Sequence, residues 1–257
     1  MRRHILHCLL LFSLTIGGLL FLADPALARP AKKGKLLYMT LCLGFKHATV
    51  PLSKEIVKEI GDKSGAFETT ETEDVAAFTA QNLKNYDAIM FNTTGELPMT
   101  PEQKKAFMDF VRSGHGFVGV HSATDTFYMW SEYADLIGGY FNGHPWHEMV
   151  TIEVVGPTSP LVSFLGKSFR INDEIYQTSD FRAQDSHVLL RLDPSSVDLK
   201  KPGVQRRYYG WPVAWTRKVG KGRVYYNGLG HDDWVWKDPR FQEMLLNGIK
   251  WAMGQIK

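Results

Sequence analysis

The sequence predicts an α/β fold: a doubly wound parallel sheet with an added antiparallel β region in the C-terminal half. Three observations carry this. Short apolar strands alternate with helix-patterned segments as far as residue 120. With short connections, that alternation builds a parallel sheet. The segments at 35–43, 88–92 and 116–120 are nearly unbroken apolar runs, as expected of strands covered on both faces. Beyond Met149 the helical pattern lapses and strand follows strand.

Each element has its own signal. Lys35 to Leu43 carries Leu-Leu-Tyr-Met-Thr-Leu-Cys-Leu, the first strand. Val50 to Lys63 places Leu52, Ile56, Val57 and Ile60 at helical spacing. Phe67 to Thr72 is a short strand of aromatic and β-branched residues, and Asp74 to Leu83 is weakly helical. Ala88 to Asn92 is the third strand. Thr100-Pro101-Glu102-Gln103 opens a helix, with Thr at the N-cap, Pro at the first helical position and Gln two further on, a capping box. That helix shows Phe107, Phe110 and Val111 on one face and ends near Gly114. Gly116 to Val120 is the fourth strand and runs straight into His121. Met149–Val155, Arg170–Gln177, Val188–Leu192, Val213–Arg217 and Arg223–Asn227 read as further strands. Gly220-Lys221-Gly222 is the turn of an antiparallel hairpin. Phe241 to Met253 is a closing helix. The whole is a flavodoxin-like core with extra strands.

The first 28 residues read as a secretory leader. Arg2 and Arg3 precede an apolar run from Ile5 to Leu22, and Ala26-Leu27-Ala28 is a small-x-small cleavage site. Residues 29–34 form a short linker and 35–257 one domain, placed in the periplasm or secreted. Loss of Arg2, Arg3 and Asp24 lowers the formal charge from +3 by a net one to +2. A nearly neutral chain with dispersed basic residues argues against a nucleic-acid partner. No segment after the leader is long and apolar enough to suggest a membrane partner. Cys8 lies in the leader, so Cys42 is the one cysteine of the mature chain. It can form no internal disulfide and no cysteine-based zinc site, and reads as a buried inert thiol.

Five histidines fall at predicted strand ends or in the loops just after them: His47, His121, His144, His147 and His231. Strand ends on one edge of an α/β sheet converge, and ligands bind there. Neutral imidazole is the commonest protein metal ligand and the usual proton shuttle near pH 7. Gly119-Val120-His121-Ser122-Ala123 has the form of a nucleophile elbow, with His121 at its centre. Ser122 is one place out of register, so a serine hydrolase fits poorly. A lone histidine at a strand end is most often a hydrogen-bonded structural residue; its four companions change that balance.

Several segments together resemble a known family. They are Gly44-Phe-Lys-His47, Gly116-Phe-Val-Gly-Val-His-Ser-Ala123, Gly138-Gly-Tyr-Phe-Asn-Gly-His-Pro145, Asp173-Glu-Ile-Tyr176, Pro212-Val-Ala-Trp215 and Gly220-Lys-Gly-Arg-Val-Tyr-Tyr-Asn-Gly-Leu-Gly-His231. In this order the chain resembles the ThuA-like (trehalose utilisation) proteins, a branch of the class I glutamine amidotransferase-like fold. The resemblance implies bacterial sugar metabolism, oxidised 3-keto sugars included, with a metal suspected in some members. Amidotransferases carry a catalytic Cys at the elbow. Here His121 stands there, so their chemistry is not implied.

A catalytic metal site needs about three protein ligands and an open position. His47, His121 and His231 are the easiest three to converge, and the expected ion is divalent, zinc or similar. No nucleotide cofactor is expected. Glu174 is a carboxylate ligand or the general base, and Asp173 stands beside it as a second catalytic carboxyl. The alternative is that these histidines bond loop backbones or sugar hydroxyls with no metal. His144-Pro145-Trp146-His147 reads as a loop, and His144, His147, Trp146, Ser122, Asp232 and Tyr176 are the expected substrate contacts. Trp146 would stack on a saccharide or pack over the pocket. Of Trp211, Trp215, Trp234 and Trp236, at most two would line a substrate wall. Asp232 or Asp233 would orient His231 through its second nitrogen, or cap a turn. Glu96 and Asp125 are placed to face the cleft. His115, at a helix end, is structural; His187 lies away from the site; and Arg206-Arg207-Tyr208-Tyr209 is a surface or core patch.

The reading is an exported enzyme of carbohydrate metabolism. It would act on a sugar or keto-sugar by proton transfer, as lyase, hydrolase or isomerase, with or without a metal. The other class is a non-catalytic carbohydrate- or partner-binding protein on the same scaffold, because function lives in the site and not the fold.

Overall fold

The computed structural model describes residues 33–205 and 209–257. The leader expected over residues 1–28 and positions 206–208 of the basic-aromatic run lie outside them. Among the described residues, no helix is long and apolar enough to cross a membrane.

The apolar runs become neighbouring strands of one sheet. In chain order the elements are β1 Gly34–Met39, α1 Val50–Ser64, β2 Phe67–Thr72, α2 Ala80–Leu83, β3 Ala88–Phe91, α3 Pro101–Arg112 and β4 Gly116–Val120. There follow α4 Ser131–Ile137, β5 Tyr140–Phe141, β6 Trp146–Val154, β7 Ser168–Ile175, β8 Thr178–Ser179 and β9 Ser186–Leu192. The last are β10 Pro212–Val219, β11 Gly222–Asn227, α5 Asp233–Lys237 and α6 Pro239–Ala252. Among the described residues nine strands form the sheet in the order β2-β1-β3-β4-β11-β10-β9-β6-β7, and β5 pairs with β8 apart from it.

The parallel part holds five strands, not the four that the alternation predicts. β11 returns to pair in parallel with β4, Arg223 opposite Gly116 and Asn227 opposite Val120. From β11 outward through β10, β9, β6 and β7 every pairing is antiparallel. Directions therefore alternate. The C-terminal ends of β1, β3, β4, β11 and β7, and the N-terminal end of β6, all reach one edge of the sheet.

Helices cover both faces. α1, α5 and α6 lie on one, with Ile56, Val57, Ile60, Phe241, Met244, Leu245 and Ile249 buried against the strands. α2, α3 and α4 lie on the other, with Phe107, Phe110, Val111, Tyr133 and Ile137 buried. The capping box of α3 forms as the sequence predicts: Thr100 Oγ1 accepts from Gln103 N, and Gln103 Oε1 accepts from Thr100 N. α1 ends on Gly65 at φ 66°, a left-handed cap natural to glycine. α6 lies so close to the sheet that Gly248 rests against the Tyr225 ring.

Three expectations need correction. The first strand stops at Met39, not Leu43; beyond it Cys42 makes one isolated bridge to Thr94. The strand also begins at Gly34, which the linker reading had left outside. His144 to His147 is not wholly loop. β6 starts at Trp146, because Trp146 and His147 pair with Ile175 and Glu174 of β7.

Candidate active site

Four side chains from four separate segments meet at this edge. His47 lies in the loop after β1, His121 directly after β4, His231 four residues after β11, and Glu174 is the penultimate residue of β7. Each offers one ligand atom, and those atoms all lie within 4.8 Å of one another. His231 Nδ1 is 3.1 Å from Glu174 Oε2 and 3.3 Å from His121 Nε2. His121 Nε2 is 3.6 Å from the same carboxylate oxygen. Glu174 Oε1 is 3.0 Å from His144 Nδ1. The His47 ring meets those of His121 and His231 edge-on, with centroids 4.8 and 5.1 Å apart.

The tautomers follow from the partners. His121 Nδ1 lies 3.0 Å from Gly228 O. A carbonyl only accepts, so Nδ1 carries the hydrogen and Nε2 turns its lone pair into the cluster. That lone pair faces His231 Nδ1 and a carboxylate oxygen. A hydrogen on His231 Nδ1 satisfies both, and so would a cation.

Burial pushes His47 down to about 4, and the charge of His231 adds to it. Burial, then the neighbouring His47, hold His121 well below the usual imidazole value. Both are therefore neutral near pH 7, as metal ligands must be. Burial pushes Glu174 up. The hydrogen bond from His231 and the charges of His231 and His144 outweigh it, and the carboxyl lies below its ordinary range. His231 is raised, chiefly by its hydrogen bond to Glu174. His47 Nδ1 is buried without a hydrogen-bond partner. Three imidazoles and one carboxylate form a donor set that suits zinc or another first-row divalent ion.

The backbone is bent to make this arrangement. His121 sits at φ 45°, a left-handed conformation costing roughly 1–3 kcal/mol for a residue other than glycine. Tyr226 holds it there, donating from its hydroxyl to His121 O at 2.7 Å. The elbow is present, but its side chain is buried to 1 % exposure rather than presented to solvent.

A cavity of about 220 Å³ opens beside the cluster, lined by Phe45, His47, Asp125, Phe141, His144, Glu174, Tyr176 and His231. Tyr176 and His144 thus lie where the sequence places substrate contacts; the Tyr176 ring rests on His121 with centroids 4.3 Å apart. Asp125 faces the same cavity and accepts a hydrogen bond from the Tyr128 hydroxyl. Burial pushes its carboxyl up. Phe45 and Phe141 are lining residues that sequence reasoning missed. Phe45 stands two places before His47, and Phe141 three before His144; this adjacency was the available signal.

Other expected site residues stand elsewhere. Asp173 is fully buried and spends both carboxylate oxygens on backbone, accepting from Gly230 N at 2.7 Å and His231 N at 3.1 Å. It positions the His231 loop and does not line the cavity. Burial pushes it up to about 7. Trp146 is buried in β6, edge-on to Trp211, with its indole N–H donated to Asp198 O. It offers no stacking face, because the β6 pleat turns it into the core. Ser122 is buried and donates to Asn92 Oδ1, away from the cavity. His231 turns Nδ1 to Glu174, and one ligand atom from each of His147, His231 and Asp232 lies within 4.8 Å of the other two. The Asp232 carboxylate pairs with His147 Nε2 at 2.7 Å. Glu96 accepts from Met129 N and lines none of the cavities described. Trp215 and Trp236 are core residues, and Trp234 alone of the four is half-exposed. His115 stacks on Phe110, and His187 is exposed on β9.

Known proteins share this arrangement of the chain. The family model for ThuA, described as trehalose utilisation, matches residues 35–252. A ThuA-like protein from Bacteroides uniformis superposes with a TM-score of 0.73 at 25 % identity, over 89 % of this chain and 94 % of that one. A ThuA-like protein from Parabacteroides merdae gives 0.71 at 20 % identity, over 87 % and 91 %. A β-galactosidase from Bacillus circulans gives 0.53 at 13 % identity, over 87 % of this chain and 31 % of its own, a likeness of fold alone. No curated protein matches the chain.

Proposed function

This chain belongs to the ThuA trehalose-utilisation family, and from that premise we propose that it is an exported enzyme acting on a sugar or keto-sugar by proton transfer. The observation that carries the reading is the cluster itself: three histidines and a glutamate with ligand atoms within 4.8 Å of one another, beside a cavity. Titratable groups so placed, with acidities moved in opposite directions, are what acid–base catalysis requires.

In this reading His47, His121 and His231 hold one divalent ion. Bound there, it would polarise a keto oxygen or lower the pKa of a water molecule. Glu174 is the general base: it is charged at neutral pH, and its Oε1 faces the cavity's His144. A proton taken by Glu174 is given up to solvent at the open side of the cavity, where the half-exposed His144 ring stands 3.0 Å from Oε1. Tyr176 and Phe141 form an apolar wall for a sugar's C–H face, and Asp125 supplies a hydrogen-bonding carboxyl on the cavity wall. Asp173 keeps His231 in place through two backbone amides. This is lyase, hydrolase or isomerase chemistry. Export rests on the leader pattern of residues 1–28.

Elemental analysis of the mature protein, purified without chelator or affinity-tag metal, tests the reading beside His121→Ala. A near-stoichiometric divalent metal that the variant loses, with keto-sugar turnover that falls in parallel, is the expected result. No metal and no turnover in either would overturn the enzyme and leave a sugar-binding protein. N-terminal sequencing of exported material should begin at Arg29; an exported chain still starting at Met1 removes the cleavage after Ala28, and absence of the chain from the exported fraction removes the export proposal.

A further inference from the structure

His231 belongs to two clusters at once. In one it stands with His47, His121 and Glu174. In the other it stands with His147 and Asp232, again with the ligand atoms within 4.8 Å of one another. His147 is the second residue of β6, and Asp232 follows His231 directly. The members of this second triad face each other. His147 Nε2 lies 2.7 Å from Asp232 Oδ2. The His147 ring meets that of His231 edge-on, with centroids 4.9 Å apart.

An imidazole has two nitrogens, and each can serve a different partner. Nδ1 of His231 is committed to the first cluster, 3.1 Å from Glu174 Oε2 and 3.3 Å from His121 Nε2. That leaves Nε2 for the second. Two imidazoles and one carboxylate are the donor set of a divalent site that keeps an open position. Tetrahedral bonds of about 2.0–2.2 Å set neighbouring donors roughly 3.4 Å apart, so the His147–Asp232 pair must open by about 0.7 Å. The His147 side chain is 42 % exposed and can yield that much. His231 and Asp232 also line a cavity of about 490 Å³, which gives an ion there room to keep water. Thr49 lies on the same wall, and its buried hydroxyl has no partner among the described residues. A water carried by the ion would satisfy it.

We propose that His231 bridges two divalent ions: the one assigned above to His47 and His121, and a second held on Nε2 with His147 and Asp232. The bridge rests on the metal reading of the first cluster and goes beyond it. His231 gives up its Nδ1 hydrogen to hold one ion and its Nε2 hydrogen to hold the other. Both protons pass to solvent, and the ring is shared as an imidazolate. With metal–nitrogen bonds of about 2.0–2.1 Å the ions stand roughly 6 Å apart. The second supplies a further Lewis-acid centre, open to the larger cavity.

Equilibrium dialysis of the chelator-stripped full chain against excess zinc, followed by elemental analysis, counts the ions. The wild type is expected to hold two per chain. His147→Ala and Asp232→Ala should each hold one, and His187→Ala, on exposed β9, should keep two. Loading with cupric ion tests the shared ring. Two coppers on one imidazolate couple antiferromagnetically, so the EPR signal per copper should fall in the wild type and return in His147→Ala. The proposal is overturned if His147→Ala holds as many ions as the wild type; one in each leaves the first site standing. It is also overturned if His147→Ala loses every ion, which would make the two clusters a single site, or if two bound coppers show no coupling. No ion in the wild type removes the first site and the bridge together.

Discussion

Replacing Glu174 with Gln removes the charge that ties the histidine cluster together while keeping the side chain's shape. Glu174 Oε2 accepts from His231 at 3.1 Å, with side-chain exposures of 7 % and 21 %, so solvent screens the pair little. His144, the other partner, is half-exposed and is counted as contributing nothing. A hydrogen bond to a charged group contributes about 1.5–3 kcal/mol. The sign follows from the acidity: Glu174 lies below its ordinary range despite burial, so the fold favours its charged form, and the variant is the less stable. The pH window follows from both partners. Glu174 is depressed, so its contribution is present above the unfolded value of about 4.3 and is lost as pH falls through the folded one. His231 is raised, so its contribution is full below about 6.5 and is lost as pH rises through the folded value. Both conditions hold between about pH 4.5 and 6.5. Urea unfolding in EDTA at pH 5.5 should show Glu174→Gln destabilised by about 1.5–3 kcal/mol, a fall in Tm of roughly 3–12 °C. The difference should shrink at pH 9. A difference independent of pH, or a variant more stable at pH 5.5, would refute the pairing on which the site's electrostatics rest.

Three further outcomes are expected. Asp173→Asn offers one acceptor to two amides, so an N–H loses its partner at a cost of roughly 1–3 kcal/mol. Because burial raises Asp173 to about 7, the wild type loses stability as pH climbs from about 4 to that value. Its advantage over the variant, read from urea midpoints, should be larger at pH 5 than at pH 8. Gly248→Ala places a Cβ 2.1 Å from two atoms of the Tyr225 ring. That ring is buried and its hydroxyl bonded by Asn227. α6 must lift, at a cost of about 1–3 kcal/mol or more, and an unchanged Tm would contradict the packing. Thr100→Ala removes the side-chain cap of α3 and should cost about 1 kcal/mol, again visible as a small fall in Tm.

The strands at 67–72 and 116–120 and the helices at 50–64 and 101–112 were legible because each is a local pattern. A capping box, a left-handed glycine or an apolar run acts over a few residues, and its physics needs no distant partner. The short α4 and α5 escaped notice, since one or two turns carry too little periodicity. β6 was half-hidden for a different reason. Trp146, Val150, Ile152 and Val154 alternate inward as a strand should. The Asn-Gly and His-Pro pairs just before it read as a turn, and only pairing with β7 extends the strand back to Trp146.

Residue by residue, the sequence alone determined which histidines end strands, and so nominated His47, His121 and His231. It also marked Asp173-Glu174 as a place of interest without separating their tasks. Only the tertiary structure decided that Glu174 faces the cluster while Asp173 turns back to hold a loop: consecutive residues on a strand point to opposite faces. Which face is the site depends on what lies above it. Likewise nothing local says that β11 pairs with β4, yet that pairing carries His231 to the edge where His121 waits. Local chemistry sets what each segment can become; strand order and direction, fixed by burial over the whole chain, set which side chains meet.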